Sequence, residues 1–360
     1  MKRVMVVMAG GTGGHIFPGI ALAEKAKAAG WEVHWIGAEG QMETELVPKY
    51  DIVLHLLPVE GLRRRGVRAL IRGAWRMIAA TFKAIRLFQQ LQPATVVGFG
   101  GYVSAAGGVA AIVRRIPLVL HEQNAIAGAT NRWLSRYATL VAEAFPNTFD
   151  RSLPVVTVGN PVRQAIQELP APVERFAQRE GALRILVVGG SRGAKVLNEV
   201  VPQALAQLTN KVLMVRHQAG RGNQATTEGA YRPAADIGHQ IEVSEFIDDM
   251  AGAYAWADLV ICRAGALTVS ELITAGLGAV LVPYPYAVDD HQTANARHLT
   301  EHGAGELLPQ NELSATRLAS LLSEMTRARC QQMAEQAYRL RPGDAAASLL
   351  ALIDKKVVAQ

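Results

Sequence analysis

The chain has 360 residues, half of them hydrophobic, which is more than one ordinary core absorbs and fits two domains of roughly 150 to 180 residues with a cleft between them. Its two cysteines, Cys262 and Cys330, lie far apart with no CxxC or Cys/His ligand spacing, which argues against a disulfide framework or a structural zinc site and fits a reducing cytosol. The net charge of +6 is unevenly spread: residues 1–160 hold 18 Lys and Arg against 10 Asp and Glu, whereas residues 161–360 hold 19 against 21.

Lys2 and Arg3 precede an apolar run that meets Gly10 and Gly11 before reaching the ~7 to 15 residues of a signal h-region, so the start reads as a strand. No apolar stretch approaches the ~18 to 20 residues of a membrane-spanning helix, and any membrane contact is expected to be peripheral. Short β-branched runs then alternate with amphipathic segments, predicting strands at Val4 to Met8, Glu32 to Ile36, Thr95 to Gly98, Leu118 to His121 and Val155 to Val158. This βαβ alternation predicts a parallel sheet. The pattern restarts with strands at Arg184 to Val188, Val212 to Arg216, Ile241 to Val243, Leu259 to Cys262 and Ala279 to Pro283, a second doubly wound domain. Pro161, Pro170 and Pro172, with Pro154 just before, mark residues 159–181 as the linker. The expected domains are 1–160 and 161–343. Residues 344–360 form a terminal helix whose pattern leaves its packing partner open, a return to the first domain being one option.

The runs MVVMAGGTGG from Met5 and ILVVGGSRGA from Ile185 echo one another, each taking a strand through a glycine turn into a helix. In the first, Gly10 to His15 lets backbone N–H groups approach an anion at a helix N-terminus. Ile16 stands where a dinucleotide fingerprint needs glycine, and no GK[ST] follows, so dehydrogenase and NTPase readings weaken. A bare turn would explain a lone glycine loop; six consecutive loop residues ending in His15 favour binding. Gly189 to Gly193 repeats the geometry, with Ser191 offering a hydroxyl to phosphate, balanced against a plain turn. Arg263 to Glu271 follows a strand at the edge where nucleotides bind. There Glu271 is either a ribose-hydroxyl acceptor or an acid favoured by the helix dipole.

His121, Glu122, Gln123 and Asn124 end a strand with four polar side chains, too many for a core and suited to sugar binding or acid–base work. Arg163, in Asn160-Pro161-Val162-Arg163, is a phosphate ligand or a surface arginine near the linker. Asp289 and Asp290 read first as helix caps, with Gln292 a candidate for donor hydroxyls. No Asp-x-Asp occurs, so the carboxylate pair that usually holds a metal on a sugar diphosphate is missing. Leaving-group charge then falls to helix N-termini, Ser191 and Arg163.

Residues 61–91 carry Arg63, Arg64, Arg65, Arg68, Arg72, Arg76, Lys83 and Arg86 without one acid, interleaved with Leu70, Ile71, Trp75, Ile78, Phe82 and Phe88. A solvated cationic face on a core helix is the plain reading. The bulky apolar residues favour docking to an anionic membrane surface over nucleic acid, for which no recognisable module appears.

Taken together, GGTGGH, GGYVS (Gly100 to Ser104), HEQN, GNPVR, GGSRGA, EFIDDM (Glu245 to Met250) and Arg263 to Glu271 closely resemble the MurG family, the bacterial N-acetylglucosaminyltransferases of peptidoglycan precursor synthesis. The resemblance implies an α/β GT-B fold, two doubly wound Rossmann-like domains facing a cleft. It also implies no cofactor, UDP-N-acetylglucosamine held mainly by the second domain, and lipid I (undecaprenyl-pyrophosphoryl-MurNAc-pentapeptide) entering from the first. The product would be lipid II, made at the cytoplasmic face of the inner membrane, with room for association with other cell-wall synthesis proteins. Family donor-binding positions fall on Thr12, Gly13, Gly14, Asn124, Arg163, Ser191, Ile247, Ala266, Leu267, Thr268, Val269, Ser270, Glu271 and Gln292, with Ile247 meeting uracil through its backbone. The stretch before Gln292 departs from the paired glutamines of some members.

An inverting displacement needs a base for the acceptor 4-hydroxyl and fixed donors for departing UDP. His15 is the first candidate, because an unperturbed imidazole pKa near ~6.5 suits proton removal at neutral pH, and Glu122 the second. The rivals are a UDP-sugar epimerase of the same fold, which needs no lipid, and a non-catalytic nucleotide-sugar-binding scaffold.

Overall fold

The computed structural model describes residues 3–59, 67–150, 152–190 and 193–358. The chain divides into two units, Met1–Arg163 together with Pro342–Gln360, and Gln164–Arg341.

The first unit is a seven-stranded sheet of β1 (Val4–Met8), β2 (Glu32–Ala38), β3 (Val53–Leu57), β4 (Thr95–Gly98), β5 (Leu118–Glu122), β6 (Leu140–Glu143) and β7 (Val155–Thr157). Its order is β3-β2-β1-β4-β5-β6-β7 and every neighbouring pair is parallel. Helices cover both faces, so central strands such as Met5–Met8 are apolar throughout instead of alternating. One face packs Met5, Val7, Trp35 and Val97 on Ile16 and Ile20 of the Gly13–Ala28 helix. Trp35 fits there because Gly19 has no side chain: a Cβ would lie 2.6 Å from the ring. The terminal helix Ala345–Ile353 adds Leu349 and Ile353 to this core. Ion pairs Lys25–Asp344 (2.9 Å) and Arg3–Asp354 (3.0 Å) flank it, so the last segment belongs to the first unit.

The opposite face packs Val6, Met8, Ile36, Leu57 and Leu118 on Ala80, Ala84 and Phe88 of the Val67–Leu91 helix. At 3.6 residues per turn, Ile71, Trp75, Ile78 and Phe82 share another stripe of that helix, and they are 55%, 68%, 47% and 62% exposed. Arg72, Lys83 and Arg86 are exposed between the two stripes. Arg63, Arg64 and Arg65 lie outside the described residues, as does the side chain of Arg68.

The second unit is a six-stranded parallel sheet of β8 (Leu183–Val188), β9 (Leu213–Gln218), β10 (Gln240–Ser244), β11 (Leu259–Cys262), β12 (Gly278–Leu281) and β13 (Gly305–Leu307), ordered β10-β9-β8-β11-β12-β13. Its core gathers Ile185, Val187, Leu197, Val201, Ile261 and Val280. Most of the proline-rich stretch expected as a linker is packed in this unit. Pro172 opens a short helix, Pro172–Ala177, whose Phe176 enters the core, and Arg179 pairs with the fully buried Asp258 at 2.8 Å.

In both units the strand order reverses at the first strand, between β1 and β4 and between β8 and β11. In open α/β sheets the crevice beyond the carboxyl ends of the strands at such a reversal is the ligand site. The glycine turns after β1 and β8 sit there.

Candidate functional site

In the first unit the turn after β1 passes Gly11 at φ +91° and enters the Gly13–Ala28 helix with extended Thr12 as its N-cap. The Thr12 carbonyl accepts from His15 and Ile16 N–H at 3.1 and 3.2 Å. Gly13 and Gly14 are the first helical residues, whose N–H groups have no acceptor within the helix. The turn after β4 lies beside it: Ser104 Oγ accepts from Gly100 N–H (3.0 Å) and donates to the Met8 carbonyl (3.0 Å). Gly100 has φ +98° and ψ −177°, a conformation open essentially to glycine alone. A Cβ there would lie 3.5 Å from both His15 Nε2 and Asn131 Nδ2, so both side chains border the space over Gly100.

The polar run ending β5 departs from its expected exposure. His121, Glu122 and Gln123 are all buried, and only Asn124 is half-exposed. They are tolerated because His121 and Glu122 are satisfied internally and Gln123 is held through its Nε2, although its Oε1 has no partner among the described residues. Glu122 Oε1 accepts from Asn124 N–H (3.1 Å) and Nδ2 (3.2 Å), and its Oε2 from Gly128 N–H (3.1 Å) and Asn131 Nδ2 (2.9 Å). His121 Nε2 lies 2.9 Å from the Gly159 carbonyl, which requires the Nε2–H tautomer, and Gln123 Nε2 donates to Nδ1 at 3.2 Å. Burial pulls the His121 pKa down to about 4, against the opposing Gly159 bond and the Glu122 charge, so the ring is neutral near pH 7. Asn160 Nδ2 donates to the Gln123 carbonyl at 3.0 Å, and the guanidinium of Arg163 stacks 5.4 Å over Phe17.

In the second unit Gly190 and Gly193 adopt φ +85° and +71°, and a side chain at Gly193 would overlap the Ala219 carbonyl. Asn198 donates to that carbonyl at 2.9 Å and its Oδ1 contacts His217 Nε2 at 3.0 Å. Ser191 lies outside the described residues. The Ala266–Ala275 helix starts after extended Gly265. Ala266, Val269, Ser270 and Glu271 are buried, while Leu267 and Thr268 are half-exposed. Glu271 Oε2 accepts from the Tyr254 hydroxyl at 2.9 Å. Ile247 helps line a cavity of about 270 Å³ with Arg216, His217, Glu242, Ser244 and Asp249. Gln292 opens the His291–Thr300 helix region and its Oε1 accepts from Tyr284 N–H at 2.9 Å. Asp290 does not cap that helix through its side chain: at φ +49° its carboxylate accepts from the Thr293 hydroxyl at 2.7 Å instead. Among the described residues no group of three His, Cys, Asp or Glu side chains is arranged to hold a metal ion.

A model described as the glycosyltransferase family 28 N-terminal domain matches residues 5–143, and one for the family 28 C-terminal domain matches residues 184–349. The chain is 49% identical over 348 residues, 96% of its length and 95% of the relative's, to the UDP-N-acetylglucosamine--N-acetylmuramyl-(pentapeptide) pyrophosphoryl-undecaprenol N-acetylglucosamine transferase of Aeromonas hydrophila. The crystal structure of Acinetobacter baumannii MurG aligns with a TM-score of 0.86 at 42% identity, covering 99% of this chain and 100% of that one. The chain belongs to the MurG group of glycosyltransferase family 28. CalG4, the calicheamicin glycosyltransferase, shares the fold at 16% identity with a TM-score of 0.66 over 99% of both chains.

Asn131 and Tyr254 of this family 28 chain were not singled out from sequence, and Arg263 was noted only as the start of its motif. Asn131 holds Glu122, and Tyr254 holds Glu271. Arg263 clamps the exit of β12 by donating to the Val282 and Pro283 carbonyls (both 3.1 Å) and to Gln310 Oε1 (2.7 Å). The partners of Tyr254 and Arg263 lie 17 or more residues away, so local spacing carries no sign of those pairings. Asn131 alone had a cue, an amide a few residues beyond a cluster already rich in polar residues.

Proposed function

We propose that this chain transfers N-acetylglucosamine from UDP-N-acetylglucosamine to the 4-hydroxyl of MurNAc in lipid I, with inversion, giving lipid II. The observation that carries this reading is the 49% identity to a transferase of that name across 96% of the chain. The glycine turns at both strand-order reversals agree with it chemically, since a nucleotide diphosphate needs backbone donors at such points.

The second unit holds the donor. The Ile247 backbone meets uracil, the segment Ala266 to Glu271 meets ribose and phosphate, and Gln292 meets sugar hydroxyls. The Tyr254 hydroxyl donates to Glu271 Oε2 at 2.9 Å and orients the carboxylate that would meet the ribose hydroxyls. Thr12, Gly13, Gly14, Asn124, Arg163 and Ser191 complete the donor contacts, and helix-start N–H groups with Arg163 stabilise the charge on departing UDP.

His15 is the base. It stands at the glycine turn over Gly100, while Glu122 is surrounded by four N–H donors. Those four bonds make Glu122 an anchor of the 122–131 turn. The exposed stripe of the Val67–Leu91 helix, with its flanking cations, docks the enzyme peripherally on the anionic cytoplasmic face of the inner membrane. No described helix is long and apolar enough to cross a membrane.

Mass-resolved turnover of UDP-N-acetylglucosamine with a soluble-chain analogue of lipid I tests the reading. A disaccharide product that persists under chelation is expected. Donor consumed without acceptor would instead indicate an epimerase, and donor bound without turnover a scaffold.

A further inference from the structure

Glu43, in the short helix Glu43–Leu46, is fully buried, yet it lies in none of the recognised motifs. Among the described residues no cation pairs with it. Its charge is met by two backbone N–H groups: Oε1 accepts from Ala38 at the end of β2 (2.8 Å), and Oε2 from Gly11 in the turn after β1 (3.1 Å). The carboxylate therefore ties the carboxyl ends of two adjacent parallel strands together at the point where the glycine turn leaves the sheet.

The surrounding sequence is built to admit it. A Cβ at Gly10 would overlap Glu43 Oε1, and one at Gly37 would lie 2.6 Å from Glu43 Cγ. Two glycines, one in the turn after β1 and one on β2, thus make room for one carboxylate. A buried carboxylate without a cation is costly and persists only where its hydrogen bonds are made. Gly11 is held at φ +91° by one of those bonds. That N–H is consequently unavailable to a substrate anion, which leaves the Gly13 and Gly14 N–H groups at the helix start to meet it.

We infer that Glu43 is a positioning residue for transfer: its carboxylate fixes the glycine turn so that His15 and the Gly13 and Gly14 N–H groups face substrate in one conformation. The inference rests on the reading of His15 as the base. Glu43 touches no reacting atom, and glutamine cannot replace it fully, because a carboxamide accepts at one end and donates at the other, whereas both neighbours here are donors.

The test compares E43Q, E43A, G10A and G10A/E43A with H15A in the full-length enzyme, measuring kcat, both KM values and amide hydrogen exchange well below each melting temperature. E43Q is expected to lower kcat roughly 10-fold and E43A about 100-fold, with the donor KM within about 2-fold, as for loss of preorganisation. Exchange should quicken at Gly11 and Ala38. G10A leaves the carboxylate in place but pushes it aside, so it should lose turnover alone and lose less in the E43A background, where the methyl has room. Wild-type kcat in folded E43Q, or additive G10A and E43A losses, would overturn the inference while leaving His15 as base. H15A turning over at the wild-type rate would overturn both. If E43A fails to fold, G10A and E43Q carry the test.

Discussion

In the first unit the glycine turn is braced by a side chain, Glu43, which accepts from Gly11 N–H. In the second unit the matching turn is braced by backbone packing, with Gly193 against the Ala219 carbonyl, an oxygen that the Asn198 side chain also holds. The units also differ outside: the first exposes the apolar stripe Ile71, Trp75, Ile78 and Phe82 beside cations, and it carries the chain's basic excess. A strand order shared over six strands and similar turn sequences therefore do not fix how a turn is held or what the outer helices meet. A side-chain brace is graded, since amide or methyl replacements weaken it stepwise. A backbone brace admits only glycine.

The sharpest way to break this comparison is G193A. A methyl at φ +71° against a carbonyl should cost more than ~3 kcal/mol. UDP binding should be lost and the second unit should melt at markedly lower temperature. A variant that binds UDP normally and melts with the wild type would show that the backbone brace is not rigid.

The pH dependence probes both units together. His121 in the first and His217 in the second are held by burial at about 4, below the unfolded value of 6.5. A folded pKa below the unfolded one means the stabilisation is complete above pH 6.5 and is lost as pH falls from 6.5 toward 4. At pH 5 each histidine should cost on the order of 2 kcal/mol. Chemical denaturation at pH 7 and pH 5 checks this, and H121Q and H217Q should each flatten the slope. Equal stability at both values would contradict the buried neutral rings.

A smaller effect is expected at the outer helix. W75A/F82A should reduce sedimentation with anionic vesicles about 10-fold and leave turnover of a soluble acceptor unchanged. Raising salt should weaken vesicle binding by the wild type. Equal binding to neutral and anionic vesicles would remove the electrostatic part.

Both doubly wound units were legible because buried parallel strands are continuous apolar runs between amphipathic helices. Three strands were not. β3 is an edge strand with His55 amid leucines, β6 has four residues ending in Glu143, and β13 has only three. Of the candidate site, the glycine turns and Arg263 to Glu271 stood out because their small residues break the hydrophobic pattern. The burial of His121 to Gln123 did not, since polarity alone says nothing about internal partners. Glu43 was equally silent: its helix has four residues and its partners are backbone groups of other strands.

The division of labour between His15 and Glu122 is tested most directly by kcat of H15A and E122Q at saturating donor and acceptor. The account predicts that H15A loses about 10²- to 10⁴-fold in kcat with donor KM little changed, and that E122Q melts earlier but, while folded, keeps kcat within about 10-fold. H15A near the wild-type rate, with E122Q inactive yet folded, would contradict it and make Glu122 the base.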